Sequence, residues 1–342
     1  MELDEILEES IKIKEEEFYS KKIYYSYSGL SKLMWNPQVF YQIYVLGLKE
    51  EKVESHLIQG KLIHLLLLEP ENFNNKFIVS PTNLPGDSIR KVIDRVYKHH
   101  KELSESSLSR ENLEDYSGAI LDVLEDINLY QSLKTDQQRL DKVLIPEAFN
   151  YWNFLLTKQN KDLIDQETYE FCLSAINIIK THPNVIDLLG LNATEFDNKQ
   201  VENEFMFQLD VPNKNYGFKG IIDNLVIDHN TKTIFINDIK TTSKELKNFS
   251  ESVEFYSYWM QAVIYNIAVV LNYSSLIDQG YTMKFHFIVI DKMFQTYAFP
   301  VSETTLNMWF DRFENTIKQA EWHYNNKDYS LPYEFATGNV IL

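Results

Sequence analysis

Apolar and polar positions sort the chain into helical and extended stretches of contrasting period. Residues 220–242, GIIDNLVIDHNTKTIFINDIKTT, read as two strands joined by a tight turn. Ile221, Ile222, Leu225, Val226 and Ile227 fill the first strand, and Ile234, Phe235 and Ile236 begin the second. Asp228, His229, Asn230 and Thr231 mark the reversal. Residues 199–211 alternate in part and predict a preceding strand, and 281–290 with 294–300 predict two more. Helical periods run over 1–20, 55–68 (stopped by Pro70), 87–135, 146–182, 253–271 and 302–324. Ser28 is placed to cap a helix carrying Leu30, Leu33 and Met34, which Pro37 breaks or kinks.

Helix, three strands, helix, strand is the order expected of an α/β fold with a central mixed sheet flanked by helices. Three parts are expected: an N-terminal helical part over 1–80, an inserted helical lobe over 81–185, and a core of sheet and C-terminal helices over 186–342. With the turn centred on Asn230-Thr231, Asp223 falls opposite Asp238, where side chains lie about 5 Å apart and like charges repel. Lys240 follows Asp238 by two residues and shares its face. Two acids and a lysine converging at a sheet end need a cation between the acids. Hard divalent ions take such oxygen ligands, and Mg²⁺ needs only one or two carboxylates beside water and phosphate.

Asp223 followed by Asp238-Ile239-Lys240 resembles the D…(D/E)XK core of the PD-(D/E)XK nuclease superfamily. KGIIDNLVID…NDIKTT is most similar to the exonuclease VIII and RecB-type branch. SYSGLSKLMWNPQVFY (26–41) resembles that branch's N-terminal segment, GKLIHLLLLEPENFNNKFIV (60–79) its glycine-x-x-x-histidine helix, and MQAVIY (260–265) its glutamine-x-x-x-tyrosine motif. The resemblance implies a restriction-endonuclease-like core. It implies metal ligation by His64, Asp223, Asp238 and the Ile239 carbonyl, with catalysis by Lys240 beside the two acids. It places an acid on the strand before the hairpin, either Glu204 or Glu202. Gln261 and Tyr265, on one helix face, would brace the site and approach DNA. Mg²⁺ is the implied ion, or Mn²⁺, which the imidazole suits better. The implied activity is a DNA exonuclease working on duplex ends in recombination or phage DNA processing. A RecB-like nuclease on single-stranded or structured DNA, an endonuclease, and a non-catalytic DNA-end-binding protein stay open. A toroidal homo-oligomer and a single-strand annealing partner are further implications.

Composition narrows the setting. The 342 residues are 44% hydrophobic and 14% aromatic, ample for a packed core. Cys172 is the sole cysteine, so neither a disulfide within the chain nor a cysteine-held iron–sulfur cluster is expected. The acidic start, MELDEILEESIKIKEEEF, lacks a signal-peptide pattern, and the apolar run around Leu65–Leu68 is too short to span a bilayer. A soluble, cytoplasmic protein with no membrane partner is the expectation. A net charge of −17 opposes attraction to DNA by the overall field. DNA binding then needs a local basic path, for which Lys219, Lys240, Lys244 and Lys247, with Lys49, Lys52 and Lys61, are the candidates. No phosphate-cradling glycine loop or nucleophile-elbow serine occurs, so ATP use and Ser-His-Asp chemistry are not expected.

Overall fold

A computed structural model describes residues 3–48, 55–104, 112–158 and 161–340. Lys49 and Lys52 lie outside the described residues. The chain divides into two compact units, one of Met1–Leu68 with Ser174–Leu342 and one of Glu69–Leu173.

In the first unit, helix α1 (Leu3–Ser20) leads into strand β1 (Ile23–Tyr25) and helix α2 (Tyr27–Trp35). The N-cap of α2 is Ser26, whose Oγ accepts the Gly29 amide at 3.1 Å, rather than Ser28, which lies in the first turn. The helix is broken at Pro37 as expected: it ends at Trp35, and the proline opens a new short helix, with the Asn36 side chain accepting the Gln38 amide at 3.0 Å. Helix α3 (Ser55–Leu68) carries His64. The sheet follows as β2 (Lys199–Asp210), β3 (Tyr216–Asp228) and β4 (Thr233–Thr242), the last two joined by a reversal over residues 229–232. Asp228 Oδ1 accepts the amides of Asn230 and Thr231 at 2.9 and 3.1 Å and fixes that turn.

The expected single helix over 253–271 is two, α4 (Phe249–Phe255) and α5 (Tyr258–Asn272). They are broken at Ser257, whose φ of 58° is left-handed, a conformation a helical period cannot signal. Strands β5 (Thr282–Asp291) and β6 (Thr296–Val301) and helix α6 (Glu303–Asn326), capped by Ser302, complete the unit.

The described strands of this unit form one mixed sheet in the order β1-β3-β4-β5-β6, with β2 antiparallel to β3. β2 pairs along β3 from Gly217 to Asp228. The opposite edge of β3 is shared: β1 takes 216–218 and β4 takes 224–228. Residues 219–223 are left between them, where β3 and β4 part. Ile222, Leu225, Ile227, Ile234, Ile236, Phe285 and Phe287 are buried with Val263, Ile264 and Ala268 of α5. At about 25 cal/mol per Å² of apolar surface, this core is what holds the strands against their separation.

Three asparagines cross this sheet in register. Asn224 donates to Asn203 Oδ1 at 2.8 Å and to the Leu189 carbonyl at 3.1 Å, and Asn237 donates to Asn224 Oδ1 at 2.8 Å and to the Leu188 carbonyl at 2.8 Å. Asn203 in turn donates to the Leu68 carbonyl, at the end of the histidine helix, at 3.0 Å. Asn224 and Asn237 are fully buried, so each lost bond leaves a polar group without water. Asn224→Leu is therefore expected to lower stability by about 3 kcal/mol or more, checked by the urea midpoint against wild type.

In the second unit, helices Asp87–Ser104, Ser117–Asp126 and Pro146–Lys158 bury Val92, Ile93, Val96, Ile120, Leu124 and Trp152. Strands Phe77–Val79 and Asp162–Ile164 pair in parallel, the second interrupting the helical stretch expected over 146–182. Among the described residues no helix is long and apolar enough to cross a membrane.

Candidate active site

The site grows from the place where β3 and β4 part. The register Asn224↔Asn237 would next pair Asp223 with Asp238, but the ladder ends there. In its place the Asp223 side chain enters the gap, and its Oδ2 accepts the Ile239 amide at 2.7 Å. The carbonyl of Ile221, in the same gap, accepts the hydroxyl of Tyr265, which itself accepts Gln261 Nε2 at 2.7 Å. Gly220 permits this closure, since a β-carbon there would stand 2.8 Å from the Phe207 ring. Gln261 and Tyr265 are 7% and 5% exposed. The structure thus places both inside the unit, as braces of the parted strand.

Asp223 gathers the other donors. His64 reaches it from α3, with Nδ1 3.5 Å from Asp223 Oδ1, while Nε2 lies 2.9 Å from the Ile239 carbonyl. A carbonyl only accepts, so Nε2 carries the proton of that bond, and in the neutral ring the Nδ1 lone pair faces the acid. Tethering one ring nitrogen to a backbone carbonyl is the arrangement that orients a ligating histidine. Gly60, one turn earlier, faces Thr241 Oγ1, which a β-carbon would meet at an ordinary 3.5 Å; the approach of the helix does not itself demand glycine.

Glu204 comes from β2, between the pairs Asn203↔Asn224 and Phe205↔Ile222, and so stands across from Asp223. Its φ is 50°, left-handed in the middle of a strand. A non-glycine residue held there costs on the order of 1–3 kcal/mol, and such strain gathers at functional sites. Glu204, His64 and Asp223 each bring one potential ligand atom within 4.8 Å of the others. Glu202 is engaged elsewhere, accepting the Tyr273 hydroxyl at 2.7 Å and Gln200 Nε2 at 2.5 Å.

Asp238 is wholly buried and paired with Lys240, Nζ to Oδ2 at 2.5 Å. Among the described residues no hydrogen bond of good geometry reaches either carboxylate oxygen, and the adjacent Lys240 ammonium is the cation that offsets the acid's burial. Lys240 also sits over the ring of Tyr258, 4.7 Å from its centre, a cation–π contact that the hairpin motif did not signal. Tyr258 is the first residue of α5, just past the break that the expected single helix over 253–271 does not contain.

The electrostatics follow from these contacts. Burial pushes the Asp238 carboxyl up, to about 6, because Lys240 offsets desolvation and the Asp223 charge only in part. Burial acts the same way on Asp223, but His64, Lys240 and the Ile239 amide outweigh it and hold the carboxyl below its ordinary value. Desolvation would lower His64, yet Asp223 raises it to about 9, so at neutral pH Nδ1 takes up a proton that any metal bound there would have to displace. For Lys240, burial is outweighed by Asp238, Asp223 and Tyr258, so its ammonium keeps its proton. The lysine is a fixed charge and donor here, not a base. Cys172 lies outside this chemistry, with burial pushing its thiol up to about 12.

The expected basic path is muted. Lys244 pairs with Glu251 at 3.1 Å and Lys247 with Glu245 at 2.6 Å, while Lys219 is exposed on β3.

No curated protein matches the sequence. Among solved structures, a protein from Eubacterium rectale described as a putative exonuclease is similar over 91% of this chain and 85% of its own, at 11% identity and a TM-score of 0.46. The model of the PD-(D/E)XK nuclease superfamily matches residues 24–323, a span that holds His64, Glu204, Asp223, Asp238 and Lys240, and the chain belongs to that superfamily.

Proposed function

We propose that the protein is a divalent-metal-dependent deoxyribonuclease of the exonuclease VIII type, hydrolysing phosphodiester bonds at duplex DNA ends. The observation that carries this reading is the gathering of His64, Glu204 and Asp223 ligand atoms within 4.8 Å beside a lysine fixed on Asp238. The donor set fits a hard divalent cation: two carboxylates and an imidazole converge, and the oxygens of Asp238 lack hydrogen bonds. His64, Glu204 and Asp223 would hold the ion, with Asp238 completing the set from the next strand. Mg²⁺ and Mn²⁺ both suit these donors, and the imidazole favours Mn²⁺. Such an ion supplies positive charge to the phosphate oxygens and acidifies water.

The protein's own groups do the rest. Lys240 presents its ammonium to the attacking water and to the charge that develops on the phosphate. Asp238 and the Tyr258 ring hold that ammonium in place. Gln261 and Tyr265 keep β3 parted from β4, so that Asp223 faces the gap and not a cross-strand neighbour. The Ile239 carbonyl steadies His64 by accepting from its Nε2. Recognition through the backbone suits an end-directed enzyme with little sequence preference. Resection to single-stranded tails for recombination in the cytoplasm, in a toroidal assembly with an annealing partner, is the setting this activity fits.

Incubation of the protein with end-labelled linear duplex, closed circle and single strand, with Mg²⁺, Mn²⁺ or EDTA, tests the activity. Loss of label from linear duplex alone, and only with metal, is expected; cleavage of circles would make it an endonuclease. Labels at 5′ and 3′ ends give the polarity.

His64 tests the metal assignment on its own. His64→Ala is expected to raise the Mn²⁺ concentration for half-maximal activity about tenfold or more, with the melting temperature in EDTA little changed above pH 9, where the ion pair of His64 with Asp223 no longer contributes. A lower melting temperature with unchanged metal demand would mean a packing role.

The charge gives a further expectation. With Ca²⁺ present to suppress cleavage, binding should prefer an open end to a closed circle. It should also show a shallow salt dependence, because each neutralised phosphate on duplex DNA adds about 0.9 to the slope of log affinity against log salt. Equal and steep binding to both forms would sink the end-directed reading.

A further inference from the structure

Aromatic rings lead away from Lys240 towards solvent. The ammonium lies 4.7 Å from the Tyr258 ring, Tyr258 stacks on Tyr256 at 5.4 Å with 26° between planes, and Phe255 meets Tyr256 edge-on at 4.9 Å. Exposure grows along this series: Tyr258 is partly buried, Tyr256 is 50% exposed and Phe255 is 78% exposed. Exposed apolar residues scattered singly need no explanation. These are adjacent, and they continue the ring that holds the lysine.

The backbone beneath them is set in advance. Phe255 ends α4, and Ser257, next to Tyr256, takes the left-handed conformation between the helices. The Tyr27 hydroxyl donates to the Tyr256 carbonyl at 2.5 Å, and the Ser257 amide donates to the Glu254 carbonyl at 3.1 Å. A strained residue and a tethered carbonyl hold two rings outward, where burying them would have been the cheaper fold.

Charge does not supply the grip in this neighbourhood. Lys244, Lys247 and Arg312 are each paired, with Glu251, Glu245 and Glu254. Every nucleobase has a π-face, and stacking on aromatic side chains binds unpaired bases without regard to sequence or net charge.

We propose that Phe255 and Tyr256 form a stacking ledge for an unpaired nucleobase of the substrate strand, one or two nucleotides from the phosphodiester held at Lys240. The inference rests on the nuclease reading above and adds to it: the strand enters with its last bases unstacked from the duplex.

The test uses the full chain with Ca²⁺ and short duplexes carrying 2-aminopurine or an abasic residue at each of the terminal positions in turn. Wild type should change the fluorescence of 2-aminopurine at one or two positions near the cleaved end. An abasic residue there should weaken binding about tenfold or more. Phe255→Ala and Phe255→Leu should bind the intact duplex as weakly as wild type binds the abasic one, and should lose nothing further on the abasic duplex. Leucine keeps the apolar bulk without the π-face, so the two variants should agree. Tyr256→Phe keeps the ring and should match wild type. Melting curves and sedimentation of each variant accompany the binding.

Wild-type binding that ignores the abasic residue, with cleavage intact, overturns the ledge and leaves the nuclease reading standing. Loss of oligomeric state in Phe255→Leu with the base dependence unchanged also overturns it, and makes the rings a contact between copies. Absence of both binding and metal-dependent cleavage in wild type overturns the two readings together.

Discussion

Lys240→Ala is expected to lose cleavage of linear duplex by on the order of 10³-fold, the scale on which removing one preorganised charge donor acts in the transition state. Asp223→Asn should lose at least as much, because it removes the carboxylate that faces both His64 and the Ile239 amide. The fold should survive both changes. The core of Ile222, Leu225, Ile234 and Ile236 does not involve either side chain. Lys240→Arg separates charge from geometry. Guanidinium keeps the charge but is planar and forked, so it cannot sit over Tyr258 and on Asp238 as the ammonium does, and little activity should return. Single-turnover rates with saturating Mn²⁺, set beside circular dichroism melts, check this. Wild-type rates in either the Ala or the Asn variant would remove these residues from the chemistry.

Asp238→Asn should stabilise the metal-free protein and destabilise it, relative to wild type, once metal is added. The Asp238 carboxyl is raised from 3.8 to about 6, so its favourable contribution is fully present below pH 3.8 and is lost as pH rises through 6. Above that pH the ionised acid costs about 3 kcal/mol relative to a neutral one. That value already includes the help of Lys240, so the amide stands in for the neutral acid without a further loss. In EDTA the variant should melt several degrees higher at pH 8, with about half that gain at pH 5. His64, raised to about 9, loses its contribution between its ordinary value and pH 9, so the metal-free wild type should continue to weaken over that range. Mn²⁺ at a thousand times its Kd reverses the order, since it adds about 4.1 kcal/mol to a protein that binds it, more than the about 3 kcal/mol that the ionised acid costs. A variant that melts lower than wild type in EDTA at pH 8 would show that the acid–lysine pair is worth more than its burial costs.

The hairpin and its acids were legible in the sequence because strand period and turn chemistry agree on one register. Asn230-Thr231 fixes the turn, and the observed pairs Asp228↔Thr233 through Asn224↔Asn237 follow from it. What period could not show is that the ladder stops one pair short of the acids. That depends on Tyr265 reaching Ile221 and on Asp223 taking the Ile239 amide, which are contacts between distant segments. The choice between Glu202 and Glu204 was open for a similar reason, because alternation puts both on one face. A left-handed backbone at Glu204 separates them, and no pattern of residue types encodes it. Tyr258 was missed because the helical period over 253–271 gives no sign of the break at Ser257, which puts Tyr258 at the head of a helix under Lys240. The short strands Ile23–Tyr25, Phe77–Val79 and Asp162–Ile164 are only three residues long, too few to display a period.

The asparagine ladder has a consequence for how the protein reaches its working form. On each of three adjacent strands an asparagine stands beside an acid: Asn203-Glu204, Asp223-Asn224 and Asn237-Asp238. Successive residues of a strand face opposite ways, so the amides interlock on one side while the acids collect on the other. A slip of one residue in any of these strands would exchange the two sets, burying a carboxylate among the amides and turning an asparagine towards the face that carries the acids. Misaligned forms are thereby penalised at several points at once. The side of the sheet that performs no chemistry acts as a proofreader, admitting only the alignment in which the chemistry can occur.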